Sequence, residues 1–126
     1  MAKLRVLFVD DEEELVSAVT ERLELRGIEA VGSTNGHDAL ERAAGARFDV
    51  VVLDLRMPGL DGLDVIRTLR QLQPELKVVM MSGHGSAEAR EEGLRLGAFD
   101  YLQKPVDIKH LVSILRRAAS GEEADA

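Results

Sequence analysis

Five side chains in this sequence have the types needed for phosphoryl chemistry: the carboxylates of Asp10, Asp11 and Asp54, the hydroxyl of Ser82 and the ammonium of Lys104. Three carboxylates brought close together repel, and one is pushed towards protonation unless a cation intervenes. Lys104 offsets one charge, and a hard divalent cation offsets the rest. Oxygen-only ligands completed by water suit Mg²⁺, or Mn²⁺ in its place. A carboxylate beside such a cation and a lysine can attack a phosphoryl donor, with both positive groups holding the equatorial oxygens as charge spreads in the transition state. The product is an acyl phosphate on aspartate, a form of nucleophilic catalysis.

These residues are far apart in the chain, so the elements between them decide whether they meet. Apolar runs over 4–9, 28–31, 50–55, 78–81 and 101–103 predict five strands. The run over 50–55, VVVLDL, is almost continuously apolar, as expected of a central strand buried on both faces. The segment MPGLDG then breaks the chain with Pro58, Gly59 and Gly62. Leu15, Val16, Val19 and Leu23 mark a first helix, with Asp11 and Glu14 as a capping-box-like start and Gly27 as its end. Ala39, Leu40, Ala43 and Ala44 mark a short second helix; Leu63, Ile66, Leu69 and Leu72 mark a third, which stops before Pro74. A fourth helix over 87–96 has a thin apolar face and an internal Gly93, which together predict a loosely held element. Ile108, Leu111, Val112 and Leu115 mark the fifth.

Strict alternation of five strands with five helices calls for an α/β fold with helices on both faces of a parallel sheet. Right-handed crossovers make this a doubly wound, five-stranded sheet in the flavodoxin-like order 2-1-3-4-5. In such a sheet all strand C-termini lie along one edge, where ligands bind. Asp10 and Asp11 follow the first strand, Asp54 lies near the end of the third, Ser82 ends the fourth and Lys104 ends the fifth. The predicted fold therefore gathers all five residues at one edge.

Composition narrows the function classes. The 126 residues fit one domain, read here as 1–119, with the small, acidic stretch 120–126 as a flexible tail or the start of a linker. A hydrophobic content of 45% fills one core. The net charge of −7 opposes direct nucleic-acid binding, because it repels phosphate backbones. Absence of cysteine rules out disulfides and thiolate metal sites and suits a reducing cytoplasm. The first apolar run is too short for a signal peptide and ends in acids, and no window approaches a membrane span.

The segments FVDDEEE, VVLDLRMPGLDG, MMSGHG and YLQKP follow one another between Phe8 and Pro105. Each is weak alone; together, each at the end of its strand, they closely resemble the receiver domain of two-component response regulators. The resemblance implies that Asp54 is the phosphoacceptor, Asp11 a direct metal ligand, Asp10 a water-mediated one and the Arg56 backbone carbonyl the third protein contact to Mg²⁺. It makes Lys104 the phosphate-contacting lysine, followed by a cis proline at Pro105, and Ser82 and Tyr101 the switch pair. The side chains of Arg56 and His84 then flank the path of water to the phosphoryl group and modulate its lifetime. The implied donor is a sensor histidine kinase or a phosphotransfer protein. The face of the fourth helix, fifth strand and fifth helix becomes the surface for a target or a homodimer. Such a domain is cytoplasmic and is not an enzyme beyond its own phosphorylation and dephosphorylation.

Taken singly, several of these residues have plainer readings. Asp11 alone caps a helix, and Asp61 in PGLDG reads as a turn residue rather than a ligand. Ser82 alone is an ordinary strand-end serine, Tyr101 alone is core, and His84, His37 and His110 read as solvated. The acids at 12–14 suit the start of a helix dipole. A nucleotide or flavin module needs a Gly/Ser/Thr-rich phosphate loop after the first strand, where this chain carries five consecutive acids. An aspartyl phosphatase needs a general acid near its nucleophile, commonly two residues beyond, and Arg56 cannot serve. A degenerate receiver that acts only as an interaction module has no use for a complete acidic cluster. MSGHG and GAFDYLQKP are similar both to receivers joined to transcriptional activators and to stand-alone ones. The chain is thus read either as a complete single-domain regulator or as the N-terminal piece of a longer protein.

Overall fold

A computed structural model describes residues 3–83 and 87–121 of the chain. One sheet is built from β1 (Arg5–Val9), β2 (Glu29–Ser33), β3 (Val50–Asp54), β4 (Lys77–Ser82) and β5 (Asp100–Gln103). Between and after them run α1 (Glu13–Leu25), α2 (Gly36–Gly45), α3 (Gly62–Leu72), α4 (Ala87–Arg95) and α5 (Ile108–Ser120). The order across the sheet is β2-β1-β3-β4-β5 and all neighbours are parallel, as predicted.

Strand alternation sorts the apolar residues into two cores, one on each face. Val6, Phe8, Val50, Val52, Val79 and Met81 point to the face covered by α1 and α5, where they meet Val16, Val19, Leu23, Leu111, Ile114 and Leu115. Leu7, Val9, Val51, Leu53, Val78 and Met80 point to the other face, against Ala39 and Ala43 of α2 and Val65, Ile66 and Leu69 of α3. Every residue of β3 is buried, which is why its sequence carries no polar alternation.

Two local devices shape the loop after β3. Pro58 and Gly59, the latter with φ of +80°, turn the chain so that Arg56–Met57 and Leu60–Asp61 pair as a separate two-stranded antiparallel ladder. A glycine at the third turn position meets the positive φ that a type II turn requires. Gly62 then passes so close to Leu55 that a β-carbon would lie 2.8 Å from the Leu55 Cα and 2.9 Å from its carbonyl oxygen. Asp61 caps α3, its Oδ1 accepting from the Leu63 N–H at 2.9 Å, so it acts as a turn and cap residue.

Three local expectations change or widen. The start of α1 is not a capping box: Glu12 is the N-cap, with no side-chain cap bond, and its N–H donates to Asp10 Oδ1 at 2.8 Å. Leu72 and Ala44 turn outward, Leu72 being 45% exposed, because each lies at the end of its helix beyond the reach of the core. Gly93 has a packing role besides the one expected of it. It is the buried residue of that helix and allows close approach to Met80, where a β-carbon would overlap the sulfur.

Candidate functional site

The strand ends gather the predicted residues at one edge of the sheet. Asp10 follows β1, Asp54 closes β3, Ser82 closes β4 and Lys104 follows β5. Backbone bonds carry the ladder past the strands and fix these positions: Asp10 N–H to Ser33 carbonyl at 3.1 Å, Leu55 N–H to Met81 carbonyl at 3.0 Å, and Lys104 N–H to Ser82 carbonyl at 3.0 Å. Asp10, Asp54 and Ser82 are buried, whereas Asp11 is exposed at the rim. Asp10, Asp11 and Asp54 each offer a carboxylate oxygen, all within 4.8 Å of one another.

The two buried carboxylates are held alike. One oxygen of each serves the backbone two residues on: Asp10 Oδ1 accepts from Glu12 N–H at 2.8 Å and Asp54 Oδ1 from Arg56 N–H at 2.9 Å. The other oxygen of each faces Lys104, whose Nζ lies 2.6 Å from Asp10 Oδ2 and 3.2 Å from Asp54 Oδ2. Glu12 Oε1 stands 3.8 Å from the same ammonium. The lysine thus bridges two carboxylates that would otherwise repel each other across a buried gap.

The electrostatics follow from burial. Desolvation pushes the Asp54 carboxyl above its ordinary range, and the Asp10 charge adds to this, while the Arg56 N–H and Lys104 oppose it. Burial works to lower the Lys104 ammonium, but Asp10 and Asp54 together outweigh it and its pKa is raised. Three carboxylates against one ammonium leave an excess of negative charge. An all-oxygen donor set of this charge, with only one ammonium to balance it, fits a hard divalent cation such as Mg²⁺.

The remaining predicted residues lie around this centre. The Arg56 side chain is exposed and its N–H holds Asp54. Tyr101 is half-buried, and its hydroxyl makes a long, 3.5 Å bond to the Ser82 carbonyl. The Lys104–Pro105 peptide is cis. His37 and His110 are exposed on α2 and α5, and His84 lies outside the described residues. Sequence reasoning missed two participants, Glu12 and Arg90, and one contact of Asp10. Glu12 was read only as part of a solvated helix start. Asp10 was read only as a ligand, yet its Oδ1 also closes a turn on the Glu12 N–H two residues on. Arg90, with its guanidinium carbon 5.3 Å from the centroid of the Tyr101 ring, had no signal at all.

Comparison with known proteins agrees with this geometry. A family model described as the response regulator receiver domain matches residues 6–116. The transcriptional regulatory protein PrrA of Mycobacterium tuberculosis is 38% identical over 120 residues, covering 92% of this chain and 52% of PrrA. The chain spans only part of the curated relatives it matches, from 25% to 52% of their length. Among solved structures, chemotaxis protein CheY4 of Vibrio cholerae shares 31% identity with a TM-score of 0.87, over 93% of this chain and 99% of that one. A Burkholderia pseudomallei response regulator, crystallised with a phosphorylated aspartic acid, calcium ion and citrate, has a TM-score of 0.86 and 28% identity over 94% of this chain and 70% of that one. With its sheet order, its acidic edge and 111 consecutive residues matched, this chain belongs to the response regulator receiver domain family.

Proposed function

We propose that Asp54 accepts a phosphoryl group from a sensor histidine kinase or a phosphotransfer protein, and that the acyl phosphate drives a switch through Ser82 and Tyr101. Receiver domains work in general by phosphorylation on an aspartate coupled to a conformational change. The observation that carries the assignment is the Asp54 carboxylate itself. It is buried at a strand end, held on one oxygen by the Arg56 N–H and facing Lys104 on the other, with Asp10 and Asp11 in reach.

In the transfer, an Asp54 oxygen forms a bond to phosphorus as the bond from phosphorus to the donor's leaving atom breaks. The leaving group, a histidine imidazole or the acetate of a small-molecule donor, departs with that electron pair. The Arg56 N–H keeps the carboxylate in one rotamer, so little reorientation is needed before attack. Lys104 is already protonated and 3.2 Å from the reacting carboxylate, so it can follow the charge from Asp54 Oδ2 to a phosphoryl oxygen. Asp10, Asp11, Asp54 and the Arg56 carbonyl would hold Mg²⁺, which supplies the positive charge that offsets the phosphoryl oxygens. Hydrolysis reverses the state when water attacks the phosphorus and Asp54 leaves as carboxylate; the domain catalyses these two steps on itself and no others.

Ser82 follows the new phosphoryl oxygen and Tyr101 moves with it, so α4, β5 and α5 form the face that a target, an output domain or a second copy reads. Among the described residues no helix is long and apolar enough to cross a membrane. The same reading puts the domain in the cytoplasm, with its phosphoryl donors. Incubation with Mg²⁺ and acetyl phosphate is expected to add one acid-stable, base-labile phosphoryl group, which Asp54→Asn abolishes and metal chelation blocks. Undiminished labelling of the Asn variant would remove Asp54 from the mechanism.

A further inference from the structure

Helix α4 meets the sheet through two contacts that lie side by side. Met80 of β4 and Tyr101 of β5 are register partners on adjacent strands. Gly93 packs directly on the Met80 sulfur. Arg90, three residues earlier and so on the same helix face, lies over the Tyr101 ring at 5.3 Å. The first contact is steric and nonpolar. The second is a cation–π contact, which depends on where the ring lies. Tyr101 in turn reaches the Ser82 carbonyl through its hydroxyl, next to the Lys104 N–H on the same carbonyl oxygen. A continuous path therefore runs from the site edge through Tyr101 to α4, whose buried residue is Gly93.

We propose that Arg90 is the positioning residue that transmits displacement of Tyr101 to α4. The proposal rests on the reading of Asp54 as phosphoacceptor and of Ser82 and Tyr101 as the switch. A ring gripped by a cation on a helix cannot move without either losing the contact or taking the helix along. Because α4 has little apolar area to resist, following the ring costs less than holding still. A phosphoryl group acts on α4 only through a difference in free energy between two states, and the Arg90 contact supplies one that tracks ring position. Arg90 is exposed, so replacing it leaves both cores untouched.

Tyr101 is the single tyrosine in a chain without tryptophan, so its emission reports the ring environment directly. In unphosphorylated protein, Arg90→Gln is expected to change that emission, while Arg90→Lys, which keeps a cation, stays closer to wild type. With Mg²⁺ and beryllofluoride as a phosphoryl mimic, the wild type is expected to show amide shifts at Tyr101 and across 89–94. In Arg90→Gln the Tyr101 response persists and the response across 89–94 falls below half. The titration midpoint moves towards tighter binding by about two- to fivefold, the size of a surface cation–π contact, because the ring no longer drags the helix. Unchanged tyrosine emission in Arg90→Gln, or a full response across 89–94, overturns the proposal. Asp54→Asn run alongside separates the two layers. A wild-type-like beryllofluoride response in that variant defeats the phosphoacceptor reading, whereas its loss there together with a full helix response in Arg90→Gln defeats the coupling alone.

Discussion

At the scale of single residues, the site holds charge at a cost, and that cost has a sign. Burial holds the pKa of the Asp54 carboxyl above its ordinary value of 3.8. Stability from its protonated form is therefore fully present below 3.8 and is lost as pH rises through the raised folded value, so at neutral pH the carboxylate is a burden. Asp54→Asn is expected to raise the melting temperature of metal-free protein by a few degrees at pH 7. The gain should shrink as the pH is lowered and the wild-type carboxyl takes its proton. Thermal unfolding in chelator at several pH values checks this, and a less stable variant at pH 7 contradicts it. Lys104 works the other way. Its ammonium competes with a divalent cation for Asp10 and Asp54, so Lys104→Ala is expected to tighten Mg²⁺ binding severalfold while weakening the phosphoryl-driven response. Calorimetric titration with Mg²⁺ gives the first quantity and beryllofluoride-induced shifts the second. Under the proposed function Arg56 and His84 are expected to bear on lifetime, because bulky side chains on the path of an attacking water would exclude it. Arg56→Asn combined with His84→Ala is expected to speed loss of the phosphoryl label several-fold after donor removal, without changing Mg²⁺ affinity; equal decay rates would leave these residues outside the mechanism.

At the scale of elements, what the sequence made legible depended on how the signal was carried. The run over 50–55 declared a doubly buried strand because parallel central strands need apolar residues on both faces, and β3 is buried throughout. Asp54 and Lys104 were legible because a polar residue ending an apolar strand has few structural uses. The start of α1 was misread because Asp10 serves both the turn and the site: a carboxylate can give one oxygen to a backbone N–H and keep the other for an ammonium. The packing role of Gly93 went unread because a helical glycine looks the same in sequence whether or not a neighbour sits against it, and only the position of Met80 shows that one does. The Arg90–Tyr101 contact depends on which strand α4 crosses, which no local pattern encodes. Gly62 shows the same tie between element and site. Its backbone lies against Leu55, the residue after Asp54, so Gly62→Ala must push that peptide away. The expected result is a loss of about 1–3 kcal/mol in denaturant unfolding, with displaced amide resonances at 54–56. A neutral substitution with unmoved resonances would mean that the loop relaxes elsewhere.

At the scale of the whole molecule, two cores share one sheet, so the faces are expected to unfold together. Any cation held by the folded site adds to that cooperativity, by about 2.7 kcal/mol at a hundred times its dissociation constant. The ion pair between Lys104 and Asp54 spans 50 positions of sequence, and the pair between Lys104 and Asp10 closes almost the full length of the sheet-forming chain. No fragment shorter than 10–104 contains all of Asp10, Asp11, Asp54 and Lys104. A chain still emerging from a ribosome has Asp10, Asp11 and Asp54 long before it has Lys104, and until β5 is seated it holds a repulsive acid cluster rather than a reactive centre. Under the proposed function, competence to take the phosphoryl group is expected only once synthesis has passed Lys104. A chain ending before residue 100 is expected to take no label from acetyl phosphate, and a half-made regulator could not be mistaken for an active one.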